Sequence, residues 1–372
     1  MASYCIPRSF SSNSTNIEAA AREEEEPRES MAYDVLIVGA GPAGLSAAIR
    51  LKQLSEQHGN DLSICIVEKG NEVGAHILSG NVFDPVALRE LLGEDVTEED
   101  GPLGDTDVFR TPVTEDSFLL LRDSMRSVSV PHVLLPPQLQ NVGKNYVISL
   151  GQLCRRLAEK AEELGVEIYP GFSASEVLYT DDGTGIYGIA TRDVGIAKDG
   201  SKKDSFERGI ELHARQTMFA EGARGSCSEE VIEKFRLRDG KEPQTYGLGI
   251  KEVWEVPDEL HKPGFVQHSL GWPLQNSLME RQTFGGSFVY HQSTSNANLV
   301  HVGFVVGLDY ENPYLNPYKE FQRWKTHPDI RKNFDNEDAQ CISYGARVLN
   351  EGGYHSIPKL VRSLIILKIF VT

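Results

Sequence analysis

The sequence predicts an α/β protein, α+β over the whole chain, in which a parallel-sheet module of Rossmann type precedes a largely antiparallel sheet. Three observations predict it. Residues 33–38 form a short apolar, β-branched run; Gly39-Ala40-Gly41-Pro42-Ala43-Gly44 follows at once; and residues 246–309 alternate mostly with period two. At roughly 150 residues per domain, the 372 residues make about two domains. An apolar content of 40% supplies a buried core and excludes wholesale disorder.

Each element has its own signal. Residues 33–38 read as a buried parallel strand, being continuously apolar and ending at glycine. From Pro42 to about Gln57, the residues Gly44, Ala47, Ala48, Leu51 and Leu54 share one helical face. A second apolar strand, 62–67, ends at Glu68 and completes a βαβ unit. Further on, 152–164 reads as a helix and 166–169 as a strand. Residues 174–179 and 186–191 flank the turn Asp181-Asp182-Gly183 as a hairpin, and Lys198-Asp199-Gly200-Ser201 marks another turn. Residues 213–220 lead into Glu221-Gly222. Segments 247–256, 283–291 and 299–308 then alternate as antiparallel strands, and 316–326 is helical.

Charge and cysteine usage narrow the function. Lys and Arg total 37 against 54 Asp and Glu, a net charge of −17, the reverse of what a phosphate-backbone binder needs; no nucleic-acid partner is expected. No uninterrupted apolar stretch of about 18 residues exists, so an ordinary spanning helix is not expected, although lying on a membrane is compatible. Cys5, Cys65, Cys154, Cys227 and Cys341 never come closer than 60 positions, which argues against a disulfide scaffold or a metal site with local ligand spacing. Residues 1–16 hold five serines, one arginine and no acid. With Arg8-Ser9-Phe10 before Ser11-Ser12, they suggest an organelle transit segment or a disordered tail.

The glycine motif carries the chemistry. Following a strand and opening a helix, with Glu68 closing the next strand, G-x-G-x-x-G reads as a dinucleotide fingerprint. Gly39 permits the tight turn, Gly41 lets backbone approach a pyrophosphate, and Gly44 lets helix pack on sheet. Val38, Ala40, Pro42, Ala43 and Leu45 complete the motif, whose helix N-terminus offers N–H groups to phosphate. Glu68, with Lys69 beside it, suits an adenosine ribose. The fingerprint alone serves NAD and FAD equally. A second small-residue loop after a strand, at Ala220-Glu221-Gly222, favours FAD. The segment holding Gly74, His76, Ser79 and Gly80 would run from the adenosine end towards a flavin ring, His76 being a structural histidine rather than a proton-transfer group. No catalytic side chain is assigned, because the chemistry would be the cofactor's.

Longer stretches carry a more specific likeness. Residues 33–54 and 74–80, Asp193-Val194-Gly195-Ile196, Glu242-Pro243-Gln244-Thr245-Tyr246-Gly247 and Gly271-Trp272-Pro273-Leu274 are among them. So are Phe284-Gly285-Gly286-Ser287-Phe288, Gly307-Leu308-Asp309-Tyr310, Tyr344-Gly345-Ala346-Arg347 and Leu349-Asn350-Glu351-Gly352-Gly353. Together they resemble the electron transfer flavoprotein–ubiquinone oxidoreductase family over about 33–360. The resemblance implies a glutathione-reductase-type FAD domain with an inserted antiparallel quinone-binding domain. The implied activity passes electrons from reduced electron transfer flavoprotein to ubiquinone, with peripheral, monotopic membrane association on the matrix face of the mitochondrial inner membrane. It assigns the FAD motif to 38–52 and the quinone contact to Gly285 and Gly286, which a sheet bulge would also explain. The segment around 76–92 would dip into the membrane or form an amphipathic core helix.

The resemblance divides the chain into a transit or disordered segment (1–30), the first part of the FAD domain (31–240), the quinone-binding domain (241–340) and a return to the FAD domain (341–372). It also implies a [4Fe–4S] cluster, whose cysteine ligands this sequence lacks. After Leu360 the family pattern stops, and eight of the last twelve residues are Val, Leu, Ile or Phe. That departure reads as a truncation, so the alternative function is an inactive fragment of the enzyme; a flavin monooxygenase or isoprenoid reductase on the same fold is the third reading.

Overall fold

The computed structural model describes residues 27–77, 80–104, 107–275 and 283–359. Residues 1–26 of the expected transit or disordered segment (1–30), the apolar tail after Leu360 and Ser79 lie outside them; the end of that segment is ordered, with Arg28 paired to Glu176 and Ser30 opening the first strand. The opening unit is β1 (Ser30–Val38), α1 (Pro42–Gln57) and β2 (Ile64–Glu68). Next come β3 (Asn81–Phe83), α2 (Val86–Leu92), β4 (Glu115–Leu121) and β5 (Ser127–Ser129). The chain continues through β6 (Tyr146–Ile148), α3 (Leu150–Glu163), β7 (Val166–Pro170), β8 (Ala174–Tyr179) and β9 (Ile186–Thr191). A hairpin, β10 (Val194–Ile196) and β11 (Lys202–Glu207), precedes β12 (Glu211–Phe219) and α4 (Ser226–Lys234). The last group is β13 (Tyr246–Glu255), β14 (Phe265–Gly271), β15 (Gly285–Ser293), β16 (Asn298–Gly307), α5 (Pro317–Lys325), α6 (Pro328–Arg331) and β17 (Gln340–Asn350).

Two sheets organise these elements. One runs β7-β2-β1-β12-β9-β8, with β1 parallel to both β2 and β12. From Val35 to Val38 its strand β1 is continuously apolar because both faces are covered there. Val35 and Ile37 enter a core with Leu45 and Ile49 of α1 and Leu157 of α3, while Leu36 and Val38 enter the opposite core with Phe219 and Val231. Each such side chain contributes about 1.5–3 kcal/mol on burial. The buried arc of α1 is wider than the predicted face. Leu45 and Ile49 are fully buried because α1 packs on α3 as well as on the sheet, whereas Ala47 and Leu51 are only partly covered.

The second sheet runs β17-β13-β16-β15-β14-β4-β5, antiparallel except for the parallel pair β14 and β4. Phe304 of β16 packs with Phe321 and Trp324 of α5 beneath it. This sheet recruits strands from both sides of residues 241–340, since β4 and β5 precede that segment and β17 follows it. Of the two readings open for 76–92, α2 has the packing of an amphipathic core helix. Leu88 is buried, and Phe83, Leu91 and Leu92 lean on the same core.

Candidate functional site

The glycine loop has the geometry its spacing requires. Gly39 holds φ at +109°, and a Cβ there would lie 2.5 Å from the carbonyl oxygen of Ala220. A Cβ on Gly44 would run into the carbonyl of Gly39 and stand 3.1 Å from Cγ2 of Ile37. Around Gly41, by contrast, a Cβ would meet nothing within 4 Å. Gly41 is the N-cap of α1, makes no side-chain cap, and is followed by Pro42. The helix therefore starts with free N–H groups facing open space, the arrangement that receives a phosphate.

Pairing of β1 with β12 brings the two sequence-distant loops together. Ala220 donates its N–H to Val38 O at 2.8 Å, and Gly39 donates to Val67 O at 2.8 Å. Gly222, at φ +82°, has nothing within 4 Å of a Cβ position and borders open space. Glu221 serves the loop itself, since its Oε2 accepts from the N–H and Oγ of Ser228 at 2.7 and 2.6 Å, tying the loop to α4. Glu68 spans the loop opposite, with Oε2 accepting from Ala40 N at 3.0 Å and Oε1 from Gly70 N at 2.7 Å. Lys69 is exposed beside it.

The segment after Glu68 crosses to the second sheet. Gly74 (φ +84°) presses on the carbonyl of Gly151 at the start of α3, at 2.6 Å from a Cβ position. His76 is exposed, and its carbonyl accepts from Arg347 of β17. Gly80 (φ +85°) abuts the ring of His301, while its carbonyl accepts from Nζ of Lys251.

Gly285 and Gly286 lie on β15, opposite Val306 and Val305. They differ in surroundings. A Cβ on Gly285 would meet the carbonyl of Val305 and, at 2.5 Å, Cδ1 of Leu274; on Gly286 it would meet only the tip of Leu270 at 2.9 Å and Ser269 O at 3.4 Å. Gly285 is thus demanded by packing against backbone, whereas Gly286 faces only a side-chain tip and a more distant carbonyl.

Sequence reasoning missed a polar group between the two sheets. A cavity of about 210 Å³ is lined by Gln152 of α3, Gln292 of β15, His301 of β16 and Ile77, with Ser149 and Thr294 at its margin. His301 Nε2 lies 2.8 Å from Gln292 Oε1. Burial holds His301 well below the usual imidazole range, with Lys251 adding to the effect, and burial likewise lowers Lys251. The only sequence signal was Ser149, whose Oγ accepts from Gln152 N at 3.3 Å and so starts α3 two residues before the predicted helix. Among the described residues no group of three His, Cys, Asp or Glu is gathered as a metal site, and Cys65, Cys154 and Cys227 are buried separately.

Residues 37–90 match a family model described as NAD(P)-binding Rossmann-like domain, the unit that holds the glycine loop. Residues 246–349, the strands of the second sheet from β13 to β17, match one described as ETF-QO, ubiquinone-binding. Named relatives agree. A Dictyostelium discoideum protein, "Electron transfer flavoprotein-ubiquinone oxidoreductase, mitochondrial", is 54% identical over 342 residues, 92% of this chain and 53% of its own length. The Homo sapiens protein of the same name is 53% identical over 327 residues, 88% of this chain and 50% of its own.

By sequence, the chain is similar to electron transfer flavoprotein–ubiquinone oxidoreductases over about nine-tenths of its length. It spans about half the length of these curated relatives. Solved structures give the fold at low identity. A geranylgeranyl bacteriochlorophyll reductase-like protein from Thermoplasma acidophilum superposes with TM-score 0.61 at 14% identity, covering 91% of this chain and 71% of that one. A flavoprotein/dehydrogenase from Cytophaga hutchinsonii gives 0.52 at 17%, covering 91% and 73%.

Proposed function

We propose that the chain forms the FAD- and ubiquinone-binding part of an oxidoreductase passing electrons from reduced electron transfer flavoprotein to ubiquinone. The observation that carries this reading is the ubiquinone-binding match over 246–349, on a sheet whose Arg347 and Lys251 donate to the carbonyls of His76 and Gly80 in the segment that leaves the Rossmann unit. FAD fits the residues present, because open space at Gly41 and Gly222 is where a side chain would obstruct a pyrophosphate.

Bound FAD would supply the electron-accepting and electron-donating centre. The chain's residues bind and orient. Backbone N–H groups from Gly41 into the first turn of α1 would hold the pyrophosphate, and Glu68 would accept from the adenosine ribose, exchanging its bond to Ala40 for a ribose hydroxyl. The backbone of Gly74 to Ile77, and that of Gly80, would lie along the flavin end. Gly286 would offer its N–H and C=O to a quinone carbonyl, with Gly285 fixing the strand beside it. The cysteines among the described residues do not converge as the thiol ligands of a [4Fe–4S] cluster must; no step runs through one.

The same proposal includes monotopic association with the matrix face of the mitochondrial inner membrane. Supporting it, Leu270, Leu120 and Val128 are exposed and lie opposite one another across β14, β4 and β5, with Met125, Val133 and Leu134 exposed nearby in the chain. No described helix is long and apolar enough to cross a membrane. The test is purification of the chain, measurement of flavin per protein, and assay of quinone reduction by reduced electron transfer flavoprotein. Bound FAD that reduces a ubiquinone analogue supports the reading; a colourless protein that takes up no FAD overturns it.

A further inference from the structure

Three residues lining the cavity between α3 and the second sheet each carry a buried polar atom without a partner: Gln152 Oε1, Gln292 Nε2 and His301 Nδ1. Their chemistry is fixed by their neighbours. Gln292 Oε1 can only accept, so the His301 Nε2 that contacts it carries the hydrogen, and in the neutral imidazole Nδ1 is then a bare acceptor. The cavity therefore presents two acceptors and one N–H donor. His301 and Gln292 are each 1% exposed. An unsatisfied buried polar atom is costly, so three around one space point to a polar occupant. The volume, about 210 Å³, is several times the ~30 Å³ a water takes in the liquid. Among the described residues no Asp, Glu, Lys or Arg lines it, which disfavours a charged occupant.

Position completes the assignment. Ile77 belongs to the segment that leaves Glu68 for the second sheet, and His301 contacts Gly80 at that segment's far end. The cavity is thus at the flavin end of the dinucleotide path, away from the adenosine ribose. We propose that it takes the ribityl chain of the flavin, an uncharged run of hydroxyls, each able to donate to Gln152 or His301 and to accept from Gln292. This rests on the FAD reading above and names the side chains that would hold the part of FAD beyond the pyrophosphate.

The test titrates FAD and ADP separately into the full chain and into Gln152→Leu and Gln292→Leu, following binding by calorimetry and the flavin by its visible spectrum. Both variants should weaken FAD about three- to tenfold, the scale of one lost hydrogen bond. ADP, which ends at the pyrophosphate, should bind wild type and variants alike, and this also reports that each variant is folded. FAD bound equally by all three proteins overturns the ribityl assignment and leaves the FAD reading standing. A changed visible spectrum at unchanged FAD affinity moves the contact to the ring and also overturns it. Wild type that binds neither ligand overturns both readings together.

Discussion

Glu68 Oε2 accepts the backbone N–H of Ala40 at 3.0 Å, joining the end of β2 to the glycine loop that follows β1. The same carboxylate accepts from Gly70 at 2.7 Å, so one side chain braces two turns on the dinucleotide face. Glu68→Ala should lose both bonds and the ribose acceptor. The expected cost is about 1–3 kcal/mol of stability, read from urea unfolding, together with weaker FAD binding. Unchanged stability would show that water replaces the carboxylate at no cost.

Gly41 and Gly44 should separate binding from folding. Gly44→Ala drives a Cβ into the carbonyl of Gly39 and should destabilise the chain by about 1–3 kcal/mol or more. Gly41→Val has room in the protein, so the fold should survive while FAD is lost, because the side chain fills the pyrophosphate space. A yellow Gly41→Val protein with an ordinary flavin spectrum would refute the fingerprint assignment.

On β15 the informative substitution is at Gly286. Gly286→Val displaces only the tip of Leu270, so FAD content and thermal stability should change little while affinity for a ubiquinone analogue falls. Gly285→Val collides with the backbone of Val305 and should damage the fold instead. Equal loss of flavin and quinone binding in Gly286→Val would make that glycine structural too.

Acid should destabilise the second sheet through its buried histidines. Burial lowers His291 to about 4 and puts His301 well below its ordinary value. Unfolded, both titrate near 6.5, so between the folded and unfolded values the unfolded chain binds more protons and stability falls as the pH is lowered. Each such histidine contributes a slope of about 1.4 kcal/mol per pH unit across that window. Chemical denaturation at pH 7, 6 and 5 should show a falling midpoint, and His291→Gln should flatten the fall. A midpoint independent of pH would contradict the burial of these rings.

The sequence by itself determined the elements whose signal is local. The first strand, the glycine turn, Pro42 at the start of α1 and the 174–191 hairpin all appear where their residues placed them, since steric and turn chemistry act within a few residues. Tertiary structure decided the rest. β14 escaped notice because Gln267 and Ser269 occupy buried positions in it, and β17 because its edge position leaves most of its side chains in solvent, without an apolar face to alternate. The same physics hid half of the site. That Gly39 meets Ala220, that Glu221 caps α4, and that Gln152, Gln292 and His301 share one cavity depend on strand pairing and on packing between the two sheets. A buried polar side chain in a strand looks like a solvent-facing one until the opposing layer is in place.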